Sequence, residues 1–464
     1  MTSAQLPDDQ LATAAEGNVP AALADLGRLV RIPGIAWPAF DQDQLVRGAE
    51  AVADLARGTG VFDDVRIHRA AVPGTDELGQ PGVLATRAAR GGRPTVMLYA
   101  HHDVQPPGDD ALWETPPFEP TVRDGRLYGR GAADDKAGIM THIAALRTLG
   151  ETYGDDLELG LVLFIEGEEE FGSRSFTQFL DDNAEAMRSD VIVVADSSNW
   201  DSETPAVTVS LRGNATFELT VRTLDHASHS GMFGGAVPDA MLATIRLLAT
   251  LWNDDGSIAV EELAVRNAET PTYDEATLRD EAGLLDGVSP IGDGTILSRI
   301  WNKPSITITG IDHTSTATAS NTLAPEITVT VSTRVAPGQS AADAFEAVRE
   351  HLLARAPFGA KLEFGEPSLG DGFLVDTSGW AIADVRDALA TGYGTPAVDY
   401  GIGGSIPFVA DLVERYEGVQ ILVTGVEDPH SRAHSPNESL HLDTFRRAIV
   451  SETLLLAKAN ARTA

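Results

Sequence analysis

Along the first 200 residues, compact apolar runs alternate with stretches of helical periodicity. "DDVRIHRA", "PTVMLYA", "LELGLVLFI" and "DVIVVAD" read as strands, and 21–31, 43–57 and 137–149 read as helices. The Val/Ile/Leu runs are nearly continuous, which is what a sheet covered by helices on both faces requires. From about Val207 the pattern changes. "AVTVSLRGNATFELTVRT" alternates apolar and polar residues, as a half-exposed antiparallel strand pair does. "SITITG" and "EITVTVSTRV" repeat that alternation, with helical segments around 236–252 and 340–354. Beyond residue 370 the α/β pattern returns, with "VQILVTGV" as a strand and 441–460 as a terminal helix. A chain of 464 residues is too long for one ordinary core. The expectation is an α/β domain formed by residues 1–205 and 371–464, with a smaller α+β domain, residues 206–370, inserted into it.

Composition narrows the function. There is no cysteine, so disulfides, thiolate nucleophiles and thiolate metal ligands are excluded. Any metal must be held by His and carboxylates. Lys and Arg number 34 against 69 Asp and Glu, a net charge of −35, and such a field repels nucleic acid and anionic membrane surfaces. No apolar run approaches the roughly 20 residues that span a bilayer. "MTSAQLPDDQ" has neither the basic start nor the apolar stretch of a signal peptide, so a cytoplasmic location is expected.

One stretch conflicts with this orderly pattern. In "LGLVLFIEGEEEFGS" a buried strand is followed at once by Glu166, Glu168, Glu169 and Glu170. Like charges at a partly desolvated strand end repel unless something positive lies among them. Other polar clusters occupy similar places. His101, His102 and Asp103 follow "VMLYA"; Asp134 and Asp135 lie in the Gly-rich turn "GRGAADDKAG". Asp196 ends "VIVVAD", and His430 and His434 follow the late strand in "HSRAHSPNESL". Each alone reads as a cap, a turn residue or a solvated face. Together, at strand ends that converge in an open α/β sheet, they are able to surround two divalent cations. Two such ions roughly 3.5–4 Å apart generate a bridging hydroxide at neutral pH, and one adjacent carboxylate would be left to act as the base. The acids at 168–170 offer both a ligand and that base.

These motifs, in this order and spacing, resemble the co-catalytic dizinc peptidase superfamily of aminoacylases, carboxypeptidase G and desuccinylases. The nearest branch is that of carnosinases and cytosolic non-specific dipeptidases. The resemblance implies a mixed-sheet α/β catalytic domain with an inserted lid and dimerisation domain. It implies that His101, Asp134 and Asp196 hold one ion, and that Asp134, Glu170 and His434 hold the other. Asp103 would orient the His101 imidazole, and a cis peptide would follow Asp134. Glu169 would be the general base; a shift of one residue would nominate Glu168 and Glu169 instead. "HASHSGMFGG" resembles the segment whose His reaches the partner subunit's active site, which makes His229 the oxyanion contact and the enzyme a homodimer through the inserted domain. "STRVAPGQ" nominates Arg334 for the substrate carboxylate, "GGSIP" nominates Ser405, and Thr322 or the adjacent Asn321 would contact the oxyanion. Two departures bear on specificity: "DSSNW" lacks the Tyr that follows the Asp196 equivalent in these dipeptidases, and "SLGDGF" stands where a His-Gly segment is usual.

The function implied is metal-dependent hydrolysis of the amide bond of dipeptides or similar short peptides, with zinc the expected ion and manganese or cobalt also suited. The alternatives are a deacylase of N-acyl amino acids and a non-catalytic metal-binding protein on the same fold. The partners expected are a small peptide and a second copy of the chain, with no nucleic acid and no membrane.

Overall fold

The computed structural model describes residues 6–403, 412, 413 and 415–463. They form two compact units, one made of residues up to 209, 375–400 and those from 412 onward, the other of residues 210–374 with 401–403. The expected boundaries at 206 and 370 lie four residues before the positions at which the chain changes unit.

The first unit is built on a mixed sheet. Its neighbours run Asp64–His68, Gly82–Arg87, Gly160–Glu166, Thr95–His101, Val191–Val194, Gln420–Val423 and Ala206–Leu211. The central four, from Gly160–Glu166 to Gln420–Val423, are parallel, and their partners at either side are antiparallel. Gly160–Glu166 is buried along its whole length, as its unbroken apolar run requires. Helices Asp8–Val30, Asp43–Gly58, Lys136–Tyr153, Trp380–Tyr393 and Leu442–Ala461 contribute their apolar stripes to this core. The first helix begins thirteen residues before the expected segment 21–31, and includes Gly17 and Pro20. Leu11, Ala15, Ala22, Leu26 and Leu29 lie on one buried stripe. Packing of that stripe outweighs two residues that end helices in isolation. No helix of the described residues is long and apolar enough to cross a membrane.

In the second unit the sheet order is Ser305–Asp312, Glu326–Val335, Gly213–Arg222, Lys361–Phe364, all antiparallel. Burial alternates along Gly213–Arg222 and Glu326–Val335, as the sequence pattern predicts. Phe217, Leu219, Val329 and Val331 pack against Ala243 and Leu247 of helix Ala240–Leu248 and against Phe345 and Val348 of helix Ala341–Ala354. Asp239 and Ser340 cap these helices through Leu242 N–H and Asp343 N–H. One expectation is corrected. "AVTVSLRGNATFELTVRT" is not a strand pair: Ala206–Leu211 joins the sheet of the first unit beside Gln420–Val423, while Gly213–Arg222 pairs with Glu326–Val335. Alternation reveals a half-exposed strand but not its partner.

Candidate metal centre

The carboxyl ends of the parallel strands carry the clusters that the sequence singles out. His101 ends its strand directly opposite Glu166 in the neighbouring one. Asp134 and Asp135 are joined by a cis peptide just before helix Lys136–Tyr153. Gly138, in the first turn of that helix, has no room for a side chain: a Cβ there would lie 2.1 Å from Asp135 Oδ1 and 2.6 Å from the Ala195 carbonyl. Gly425 likewise lets the chain after Gln420–Val423 pass the Ser197 carbonyl, 1.7 Å from where its Cβ would be. Small residues thus bring the Asp134, Asp196 and 425–434 segments together.

Asp134 is the hub. His101 Nε2 lies 3.1 Å from its Oδ1, and His434 Nε2 lies 2.9 Å from its Oδ2. Each carboxylate oxygen therefore serves a different imidazole. Asp196 Oδ2 stands 4.0 Å from His101 Nε2, and Glu170 Oε2 stands 3.2 Å from His434 Nε2. Two sets of possible ligands follow, His101–Asp134–Asp196 and Asp134–Glu170–His434, with the donor atoms of each set within 4.8 Å of one another. Only nitrogen and oxygen donors are present, and the shared carboxylate divides them three and three. This donor set fits two divalent ions bridged by Asp134.

Electrostatics point the same way. Burial opposes the charge on His101, yet Asp103, Asp134, Asp196 and Glu169 outweigh it and hold the imidazole well above its ordinary pKa. Contacts with Asp134 and Glu170 push His434 up to about 11. Burial would raise Asp134, but the two histidines hold it below the usual carboxylate range. Asp196 is lifted to about 7, by burial and by the charges of Asp134 and Glu170 against the pull of His101. Burial lifts Glu169 well above the ordinary range; His101 opposes this and Asp196, Glu170 and Asp103 add to it. So many buried acids require concentrated positive charge.

The four-acid run divides by partner. The Tyr99 hydroxyl donates to Glu166 at 2.7 Å. Glu168 accepts from the Ser175 N–H and hydroxyl at 2.7 and 2.5 Å and from the Gln80 N–H at 3.2 Å. Both are thereby occupied away from the histidines, which leaves Glu169 and Glu170 to face them. Asp103 does more than the sequence indicates. Its carboxylate is 3.4 Å from His101 Nδ1, whose nearer neighbour is the Asp103 carbonyl at 3.2 Å. The same carboxylate accepts the Glu169 and Glu170 N–H groups, each at 3.1 Å, so one side chain registers both the imidazole and the acidic turn.

Three participants are not visible in the sequence. Glu438, wholly buried, accepts from Arg130 at 2.6 Å and from the N–H groups of Gly131, Ala133 and Asp134 at 3.0–3.1 Å, and so fixes the turn that presents Asp134. The Gln105 amide donates to Glu170 Oε2 at 2.8 Å. Glu427 accepts from the Ser198 hydroxyl at 2.9 Å, and burial with the charges of Asp134 and Asp196 raises it well above the ordinary range. Glu438 lies within the motif "HSPNE", but a Glu four residues after a His carries no signal of the backbone that it holds.

In the second unit, Ser228–His229 pairs with Thr322–Leu323, which sets His229 directly opposite Thr322. The Ser230 N–H donates to the Asn321 carbonyl at 3.0 Å, and the exposed His229 ring accepts the Gly231 N–H at 3.0 Å. His229 and the alternatives Thr322 and Asn321 thus lie along one short ladder. Arg334 lies on Glu326–Val335, opposite Asn214 on one side and Ser305 on the other. Ser405 is outside the described residues.

Comparison with known proteins shows the family of the chain. Residues 97–458 match the model of peptidase family M20/M25/M40. The chain is 34% identical over 379 residues to a cysteinylglycine-S-conjugate dipeptidase of Corynebacterium striatum, covering 81% of this chain and 83% of that one. It is 28% identical to a Cys-Gly metallodipeptidase of Schizosaccharomyces pombe, covering 91% and 92%. Its fold matches that of the dipeptidase Dug1p of Saccharomyces cerevisiae with a TM-score of 0.80 at 21% identity, over 99% and 100% of the two chains. The chain belongs to peptidase family M20/M25/M40.

Proposed function

We propose that the protein is a two-metal dipeptidase that cleaves the amide bond of short peptides bearing a free amino terminus. The observation that carries this is the division of Asp134 between His101 and His434, with Glu170 and Asp196 completing the sets and Glu169 left over beside them. Divalent ions held there, zinc by preference of the N/O donors and manganese or cobalt as substitutes, supply Lewis acidity to the scissile carbonyl and to a water. Glu169 takes the proton of that water and returns it to the departing amine. Its raised pKa suits both tasks. His229 donates to the developing oxyanion, with Thr322 or Asn321 beside it and Ser405 among the substrate contacts, while Arg334 receives the substrate carboxylate.

A second copy of the chain is the proposed partner of the second unit. Met232, Phe233, Leu242 and Ile245 are exposed there, the last two on a helix whose Ala243 and Leu247 are buried. Ile245→Asp is expected to yield monomers in sedimentation analysis. A wild type already monomeric at micromolar concentration would remove the dimer from this proposal.

The deciding experiment offers the metal-loaded protein two pools, dipeptides with free amino termini and N-acyl amino acids, and identifies the products by mass spectrometry. Glu169→Ala and a chelator are the controls. Cleavage of dipeptides alone, lost in both controls, is the expected result. Cleavage of the acyl pool alone would make the enzyme a deacylase, and a metal-binding protein inert on both would lose the catalytic assignment.

A further inference from the structure

Arg212 joins strands Ala206–Leu211 and Gly213–Arg222 and is only 8% exposed. Its Nε donates to the Gly403 carbonyl at 3.3 Å, and its Nη1 to the Lys303 carbonyl at 3.2 Å and the Ser305 hydroxyl at 3.3 Å. Among the described residues no carboxylate pairs with it, and Nη2 makes no hydrogen bond. The contrast with Arg130 is instructive. That guanidinium, also buried, is neutralised by Glu438 at 2.6 Å.

The charged neighbour of Arg212 is instead another cation. Ser305, which Arg212 touches, is the direct cross-strand partner of Arg334, and Arg334 also has no carboxylate partner among the described residues. Burial and the Arg334 charge together lower Arg212 to about 10. In a chain with twice as many acids as bases, two neighbouring guanidinium groups with no acid paired to them among the described residues are a costly arrangement. It is what a carboxylate from outside the chain needs, since planar guanidinium donors match both of its oxygens.

We propose that Arg212 and Arg334 together bind the terminal carboxylate of the substrate, with Arg212 as the buried member that makes a free carboxyl terminus a requirement. This rests on the proposed role of Arg334 and adds a specificity-determining residue to it. A peptide carboxylate supplies the missing counter-charge, so affinity and charge neutralisation arrive together.

The test compares kcat/KM for a dipeptide and for the same dipeptide with a carboxyl-terminal amide, in wild type, Arg212→Met and Arg212→Lys. Arg212→Met is expected to lower the acid-to-amide ratio roughly 10- to 100-fold, the range for a lost charge-assisted hydrogen bond, and Arg212→Lys to lower it less. A second readout needs no turnover. In Glu169→Gln protein the dipeptide should raise the thermal midpoint more than its amide does, and adding Arg212→Met should erase that difference. An unchanged ratio, or equal losses on both substrates with a lower midpoint in the absence of ligand, would make Arg212 a structural residue and overturn the proposal. Should Arg212→Met fail to fold, the ratio in Arg212→Lys decides. If the wild type cleaves N-acyl amino acids instead, the dipeptidase assignment fails separately, and the same acid-to-amide ratio on that substrate still judges Arg212.

Discussion

In the first unit, His101 and His434 face the carboxylates of Asp134, Asp196, Glu169 and Glu170; in the second, Arg212 and Arg334 face none among the described residues. By contrast, the pairs Arg130–Glu438 and Arg126–Asp428 each balance a buried charge within the chain. The two departures have opposite signs. Surplus acid calls for cations, and surplus base calls for an anion. Sites that bind charged ligands are therefore visible as places where the protein has left its own electrostatics incomplete.

The largest effect expected concerns the acid that is left over in the acidic unit. Glu169→Gln should lower kcat about 10²- to 10⁴-fold while metal content, measured by elemental analysis, stays at the wild-type level. Loss of metal together with activity would make Glu169 a ligand and redraw the division of the acidic run. Next comes a balanced pair as the contrasting case. Glu438→Gln strips Arg130 of its buried counter-ion, and chemical denaturation should show a loss of about 3–5 kcal/mol, unlike Arg212, which has no such partner among the described residues.

A smaller effect tests the surplus itself. With chelator present, Asp196→Asn should be more stable than wild type by on the order of 1 kcal/mol, because it removes one of several repelling buried acids. With metal added the order should reverse. Wild type that is the more stable in both conditions would mean that the acids are balanced without ions.

The smallest effect concerns a pair outside both sites. His142 lies 2.8 Å from Glu452 and 3.0 Å from the Tyr99 carbonyl. Burial lowers its pKa, but the Glu452 charge and hydrogen bond outweigh this and leave it raised. A raised histidine adds stability that is complete below its unfolded value of 6.5 and is lost as pH climbs through the higher folded value. Unfolding free energies from denaturant titrations, followed upward from pH 6.5, should therefore fall by about 1 kcal/mol more in wild type than in His142→Gln.

Much of the fold is legible in the sequence because burial writes itself into hydrophobic spacing. The unbroken run of Gly160–Glu166 and the alternation of Glu326–Val335 each announce how many faces are covered. The first helix is longer than its sequence suggests because Gly17 and Pro20 weigh against it locally, whereas the buried stripe from Leu11 to Leu29 is stabilised by packing. In the same way the segment 206–223 has the look of a hairpin, since alternation cannot tell a cross-strand neighbour from a partner two hundred residues away.

By itself the sequence supplied the candidate donors: no cysteine, acids and histidines at strand ends, and a family order that nominated each ligand. Tertiary structure alone decided how they are shared. It turned Glu168 toward Ser175 and Gln80, aimed Glu170 at His434, and gave each oxygen of Asp134 to a different imidazole. It also left Arg212 buried beside Arg334 with no acid pairing either among the described residues. The reason is physical. Residue type and spacing fix which chemistry a chain carries, but whether a charge is satisfied depends on groups hundreds of residues apart that only folding brings within 3 to 4 Å.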